Sequence, residues 1–149
     1  MEKTTNTLTN VLKKTKPDGI NEFLKDNSGE LLSGEHPFSV YMKNCIKEKG
    51  IQQKDVFLAA DISDGYGYKL LSEEKHTKQR DVILRLCLGA RLTLDETQRA
   101  LKIYGMSPLY SRLPRDAVII VAIESGIYEI SQVNQLLAEH GEVQLRLSL

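Results

Sequence analysis

Residues 53–70 read QKDVFLAADISDGYGYKL, and they predict two short helices joined by a tight turn. The apolar positions of this pair are Val56, Ala60, Ile62 and Leu70. Asp61 falls where the chain must turn sharply, and Asp adopts the left-handed backbone conformation more readily than most residues. Ser63 suits the N-cap of the second helix, because its hydroxyl can accept a hydrogen bond from a free backbone N–H. Two helices joined in this way can place one helix in a DNA major groove, so we predict a helix-turn-helix.

The flanking residues predict three more short helices. Upstream, an apolar stripe with helical spacing predicts a core-facing helix that ends at Gly50; its members are Phe38, Tyr41, Met42, Cys45 and Ile46. Downstream, residues 81–89 (DVILRLCLG) are strongly apolar, so we expect them to form the buried central helix. Another helix should run from about residue 95 to Tyr104, with Thr93 as its N-cap. Five short helices are therefore expected between residues 37 and 105.

The C-terminal residues 106–149 predict a helical extension. Pro114 suits the first turn of a helix, although the β-branched residues 118–121 that follow also suit a strand. We prefer the helix, because the chain has no other convincing strand to pair with it. Ser131 is the predicted N-cap of a final helix that stops at Gly141, and the tail after Glu142 is expected to be loose.

The N-terminal residues 1–36 predict a helical arm and a linker. Leu8, Val11 and Leu12 have helical spacing, and Pro17 opens a second short helix. Residues 26–36 (DNSGELLSGEH) are rich in glycine and serine, which is typical of a linker. The predicted fold is therefore all-α, with the five-helix domain at 37–105 between this arm and the C-terminal extension at 106–149.

The composition excludes several classes of protein. With 41% hydrophobic and 27% charged residues among 149, the chain has the composition of an ordinary globular protein. No run approaches the roughly 20 apolar residues that cross a bilayer, and the first ten residues lack the apolar core of a signal peptide. We therefore expect a cytoplasmic protein with no membrane partner.

The potential metal ligands and nucleophiles are few and poorly arranged. Cys45 and Cys87 both lie within apolar helical patterns, so we expect buried, unreactive thiols. The three histidines lack ligand spacing with either cysteine, and no phosphate-binding glycine loop is present. We predict no metal, no cofactor and no enzymatic activity.

Residues 37–105 resemble the phage-repressor-like helix-turn-helix domain of the XRE family of bacterial regulators. Five helices of suitable length follow in the right order, and Gln53 opens the first motif helix, where family members often place a glutamine that contacts backbone phosphate. Two positions depart from the family pattern, because Phe57 stands where alanine is usual and Gly67 where valine or isoleucine is usual. These positions face each other in the family fold, so we interpret the departures as a compensated exchange of volume.

The resemblance implies which residues contact DNA. The outward positions of the second motif helix are expected to be Asp64, Gly65, Tyr66, Tyr68 and Lys69, with Tyr66, Tyr68 and Lys69 toward the major groove. The basic segment that follows, residues 75–80, would run beside the phosphates; the alternative is that it is only a solvated charged loop. The complete predicted DNA-binding set is Gln53, Asp64, Tyr66, Tyr68, Lys69, Lys75, His76, Lys78 and Arg80.

Charge leaves a second interpretation open. The whole chain has 20 basic and 20 acidic residues, and residues 37–105 have 12 Lys and Arg against 9 Asp and Glu. The second motif helix offers only Lys69 as a cation and has two glycines, whereas tyrosines also serve as protein-binding anchors. The favoured function is a transcriptional regulator that binds double-stranded DNA, with a homodimer expected for reading paired half-sites. The alternative is a protein-interaction adaptor that has lost DNA binding and uses Tyr66 and Tyr68 on a partner.

Overall fold

The computed structural model describes residues 5–27 and 36–146, and within these ranges the chain is helical with no strand. The helices of these ranges are α1 (Thr5–Lys14), α2 (Ile20–Asp26), α3 (Pro37–Glu48), α4 (Gln53–Ala60), α5 (Asp64–Leu71), α6 (Arg80–Gly89), α7 (Leu94–Tyr104), α8 (Pro114–Glu124) and α9 (Ile130–Glu139). The predicted all-α fold is confirmed. Within the described ranges, no helix has the length and apolar character needed to span a membrane.

The chain divides into two compact units, residues 1–35 and 36–149. In the first unit, a 3-10 turn at Pro17–Gly19 precedes α2, so the second helix starts later than its proline suggested. Phe23 is the buried apolar residue of α2, while Leu24 is about half exposed. Most of the predicted linker, residues 28–35, lies outside the described residues.

The second unit contains the five helices predicted between residues 37 and 105, here α3 to α7. Helix α6 is the centre of the core, because every residue from Val82 to Gly89 is buried. A Cβ added at Gly89 would lie 2.5 Å from the Val56 carbonyl oxygen. Glycine at this position therefore allows α4 and α6 to pack at backbone distance.

Several local predictions at helix ends are confirmed. Asp61 has φ 57°, which is the left-handed conformation expected of the turn between α4 and α5. Thr93 forms a capping box with Glu96, and Pro114 occupies the first turn of α8, which is a helix and not a strand. Ser63 is the N-cap of α5, but its side chain makes no capping hydrogen bond.

The predicted start of α9 is wrong. Glu129 is the N-cap and the helix begins at Ile130, so Ser131 lies inside the first turn. Ile127, Tyr128 and Ile130 pack against the core on either side of this N-cap. A side-chain cap contributes about 1 kcal/mol, and burial of the three apolar side chains outweighs it.

Reciprocal ion pairs join the C-terminal helices to the core of the same unit. Arg80 and Asp81 begin α6, whereas Arg115 and Asp116 lie in the first turn of α8. Arg80 pairs with Asp116, and Arg115 pairs with Asp81, each through two nitrogen–oxygen contacts. Residues 36–146 therefore fold as one compact unit in which α8 is tied to α6.

The tail from Glu142 to Arg146 is held against the core, so the prediction of a loose tail is wrong for these residues. Leu145 is only 3% exposed, and its N–H donates to the Asn134 side chain at 2.7 Å. The guanidinium of Arg85 donates to the carbonyls of Leu145, at 2.8 Å, and Arg146, at 3.2 Å. The two hydrogen bonds from Arg85 connect residues about 60 positions apart, so the local sequence of the tail does not indicate them.

Candidate nucleic-acid interface

Helix α5 presents one polar face to solvent. Its exposed residues are Asp64, Gly65, Tyr68 and Lys69, and its buried ones are Gly67, Leu70 and Leu71. These exposed positions match four of the five predicted outward positions. Tyr66, the fifth, is half-buried and packs against the hydrophobic core, so its ring is only partly available to a ligand.

Aromatic packing seats α5 on α4. The Phe57 ring meets the Tyr68 ring edge to face, with the centroids 4.8 Å apart and the planes at 80°. Although the Tyr68 ring contacts Phe57, Tyr68 remains 45% exposed. The predicted contact between Phe57 and Gly67 is also present, because a Cβ at Gly67 would lie 2.5 Å from Phe57 Cδ1. Tyr68 is thus a supported aromatic residue on the surface of α5.

The loop after α5 is anchored by aromatic and polar contacts. The His76 ring stacks on Tyr104, with the centroids 4.4 Å apart, and the Thr77 N–H donates to the Tyr104 hydroxyl at 2.8 Å. Burial raises the pKa of Tyr104 above its ordinary value, although the hydrogen bond from the Thr77 N–H opposes this shift. Lys75 and Lys78 flank these two anchors and are both exposed.

Glu73 has a structural role at the same turn. Its backbone is left-handed, with φ 64°, and its carboxylate accepts a hydrogen bond from the Ser39 N–H at 3.2 Å. His36, the N-cap of α3, makes no capping bond with its own side chain. Glu73 therefore supplies an acceptor for the first turn of α3 and connects the end of α5 to that helix.

Arg80 is used within the fold. Its guanidinium pairs with Asp116, which is 1% exposed, and also donates to the Pro108 carbonyl at 3.3 Å. An arginine that neutralises a buried carboxylate has few donors left for a phosphate. Gln53, predicted to contact phosphate, is the first residue of α4 and is partly exposed.

The surface formed by residues 53–79 is electrically balanced. Its exposed charged side chains are Lys54, Lys69, Lys75, Lys78, Asp55, Asp61, Asp64 and Glu74. Four cations against four carboxylates give no broad positive field. Any attraction to phosphate must therefore come from the local placement of individual lysines.

The cysteines contribute to the core. Both are free and buried, and burial raises the pKa of Cys45 to about 11 and that of Cys87 further still. Thiols with raised pKa values remain protonated at neutral pH, which makes them poor nucleophiles and poor metal ligands. The described ranges also contain no cluster of His, Cys, Asp and Glu suited to a metal ion.

Sequence reasoning missed two buried charged residues. Arg85 interrupts the apolar run of α6, and this interruption was the signal that it has a dedicated structural environment. Asp116 gave no comparable signal, because an acidic residue in the first turn of a helix is ordinary.

The chain matches no protein-family model, no curated protein and no solved structure.

Proposed function

We propose that this chain is a DNA-binding transcriptional regulator in which α4 and α5 act as a repressor-like helix-turn-helix. The supporting observation is the exposed face of α5, whose ring at Tyr68 is braced by Phe57 of α4. In this proposal α5 enters the major groove. Tyr68 contacts thymine methyl groups or phosphate, and Lys69 contacts base edges or phosphate.

The anchored loop supplies the phosphate contacts. Lys75 and Lys78 are exposed on either side of residues held by Tyr104, so they project from a fixed backbone. Gln53 adds a neutral contact at the start of α4. Arg80 is left out of the proposed interface, because its guanidinium belongs to the pair with Asp116.

The size of the proposed contact sets a measurable expectation. If each chain neutralises about three phosphates, a plot of the logarithm of the DNA-binding constant against the logarithm of the salt concentration should have a slope of roughly −2.7. A dimer doubles this slope. Replacing Lys75 and Lys78 together with Gln should make the slope shallower by about 1.8 per chain and weaken binding to all sequences alike.

The salt dependence of this double variant tests the proposal. Lys47→Gln with Lys102→Gln removes two exposed cations from α3 and α7 and serves as the matched control. The control should retain the wild-type slope. A Lys75→Gln/Lys78→Gln protein with the wild-type affinity and slope would show that these lysines do not contact phosphate.

The balanced charge of residues 53–79 favours a second candidate, a protein-interaction adaptor. An exposed tyrosine on a neutral surface is typical of a protein interface. Leu58 on α4 is also largely exposed, which adds apolar area near the turn. In that case Tyr68→Ala and Leu58→Ala should weaken capture of a partner protein, whereas Lys75→Gln/Lys78→Gln should not.

A further inference from the structure

A solvent-open cavity of about 620 Å³ lies where the C-terminal end of α4, the last turns of α6 and the start of α9 meet. Its apolar lining includes Leu58, Leu88 and Ile130. Two arginines, Arg85 and Arg91, also line it. The cavity is separate from the exposed face of α5 and plays no part in the proposed DNA contact.

Arg85 brings a buried positive charge to this cavity. The residue is 6% exposed, and its hydrogen-bond acceptors are the neutral carbonyls of Ala60, Leu145 and Arg146. No carboxylate oxygen of the described residues lies within 4.0 Å of its guanidinium, and two of its five N–H donors have no acceptor there. The carboxylates of Asp61 and Asp81 act on Arg85 at longer range and oppose the lowering of its pKa by burial. A buried guanidinium with no direct ion pair among the described residues still favours an anion beside it.

The start of α9 adds further donors to the same cavity. Its N-cap, Glu129, makes no side-chain capping bond, and the backbone N–H groups of Ile130 and Ser131 have no acceptor among the described residues. Ile130 and Ser131 both line the cavity. Unpaired N–H groups at the positive end of a ten-residue helix favour an anion.

The remaining lining indicates what else the ligand carries. Arg91 lies over the Tyr128 ring, with its Cζ 5.7 Å from the centroid. This pair adds a second cation and an aromatic surface next to the apolar side chains. Asp61 and Glu129 also line the cavity, but both are exposed, so solvent screens their charges. The anion is therefore expected at the buried Arg85 and not at the rim of the cavity.

We propose that this cavity binds a small molecule that carries a carboxylate or phosphate group beside an apolar or aromatic part. The anion contacts Arg85, Arg91 and the first N–H groups of α9, and the apolar part packs on Leu58 and Tyr128. Because Leu58 and Asp61 belong to α4 and its turn, the ligand lies beside the helix pair of the proposed interface. The site does not depend on the proposed DNA binding, and its test requires no DNA.

Three matched probes test the site on the full chain: benzoate, phenyl phosphate and neutral benzamide. Titrations followed by backbone amide NMR should show one or both anions binding more tightly than benzamide, with the largest shifts at Ile130 and Ser131. The tighter anion identifies carboxylate or phosphate as the preferred group. Equal binding of benzamide, or shifts confined to other residues, would overturn the proposal.

Substitution of Arg91 gives an independent check, because it is exposed and its loss leaves the buried hydrogen bonds of Arg85 in place. Arg91→Gln should weaken anion binding by about two- to fivefold, as expected for one exposed ionic contact. Lys102→Gln, which removes one exposed cation from α7, should leave the affinity unchanged. An Arg91→Gln protein that binds the anions as the wild type does would also overturn the proposal.

Discussion

Gly67 of α5 and Phe57 of α4 fill one space between them. A Cβ built at Gly67 would lie 2.5 Å from Cδ1, 2.6 Å from Cγ and 2.8 Å from Cε1 of the Phe57 ring. The Phe57 ring also contacts the Tyr68 ring edge to face. The exposed face of α5 is thus positioned by a large residue on α4 and the absence of a side chain on α5.

Gly67→Ala should therefore destabilise the fold. Overpacking against the fully buried Phe57 ring costs about 1–3 kcal/mol, which exceeds the gain of up to about 1 kcal/mol in helix propensity. Gly65→Ala is the control, because a Cβ there would have no atom of another part of the described ranges within 4 Å, and it should be neutral or stabilising. Urea unfolding of the two variants measures the difference, and equal stabilities would contradict the packing described.

The same pair should show strong coupling. In a Phe57→Leu background, the smaller side chain leaves room for a Cβ at residue 67, so Gly67→Ala should cost less than in the wild type. A double-mutant cycle measured by urea unfolding gives the coupling energy. Additive effects of the two substitutions would mean that the residues do not share this space.

Arg80→Gln should be strongly destabilising. The substitution leaves Asp116 buried without its cationic partner, which costs about 3–5 kcal/mol. Arg112→Gln, an exposed arginine in the loop before α8, should change the stability by no more than about 0.5 kcal/mol. A loss below about 1 kcal/mol for Arg80→Gln would show that the pair with Asp116 is dispensable.

Asp81 should make stability depend on pH in the acid range. Burial raises the pKa of this carboxyl, but hydrogen bonds from Arg115 and the Arg146 N–H outweigh burial and leave the folded pKa below its usual value. A depressed folded pKa contributes stability that is present above the unfolded pKa of about 3.9 and is lost as the pH falls through the folded value.

Asp81→Asn isolates that contribution, since it removes the titrating group with little change in shape. The difference in unfolding free energy between wild type and Asp81→Asn should be largest near pH 7 and should shrink below about pH 4. Glu124→Gln, at an exposed carboxylate at the end of α8, controls for general charge effects. A difference that stays constant from pH 7 to pH 3 would contradict the assigned pKa shift.

The tail should contribute to stability through one residue. Leu145→Ala removes a side chain that is 3% exposed and should cost about 2–5 kcal/mol, whereas Val143→Ala changes one that is 66% exposed and should be nearly neutral. Thermal and urea unfolding of both variants test the contrast. If both substitutions lowered the free energy of unfolding by similarly small amounts, the result would contradict the docking of the tail and support a loose tail.

Local patterns predicted the helices well. Apolar spacing predicted the five helices from α3 to α7, and turn chemistry predicted the left-handed Asp61 and the Thr93 cap. The exchange of volume between Phe57 and Gly67 was also predictable, because the resemblance supplied the facing positions. In each case the decisive information lies within a few residues or within one pair of adjacent helices.

Long-range polar contacts could not be predicted in the same way. The basic neighbours of Arg80 predicted a phosphate contact. In the structure its guanidinium donates to the carboxylate of Asp116, which lies 36 positions later in the chain. Arg85 and the tail carbonyls are about 60 positions apart, and nothing in either segment specifies the other. Such pairs depend on how α6, α8 and the tail pack, which is set by the whole core.

Binding of the wild-type chain to a pool of genomic duplex fragments is the most direct test of the proposed function. Fluorescence anisotropy at low and near-physiological salt, followed by sequencing of bound fragments, separates non-specific from specific binding. We expect binding that weakens with salt but persists at the higher concentration and enriches particular fragments. No binding even at low salt, or weak binding that vanishes with salt and enriches nothing, would contradict a sequence-reading regulator.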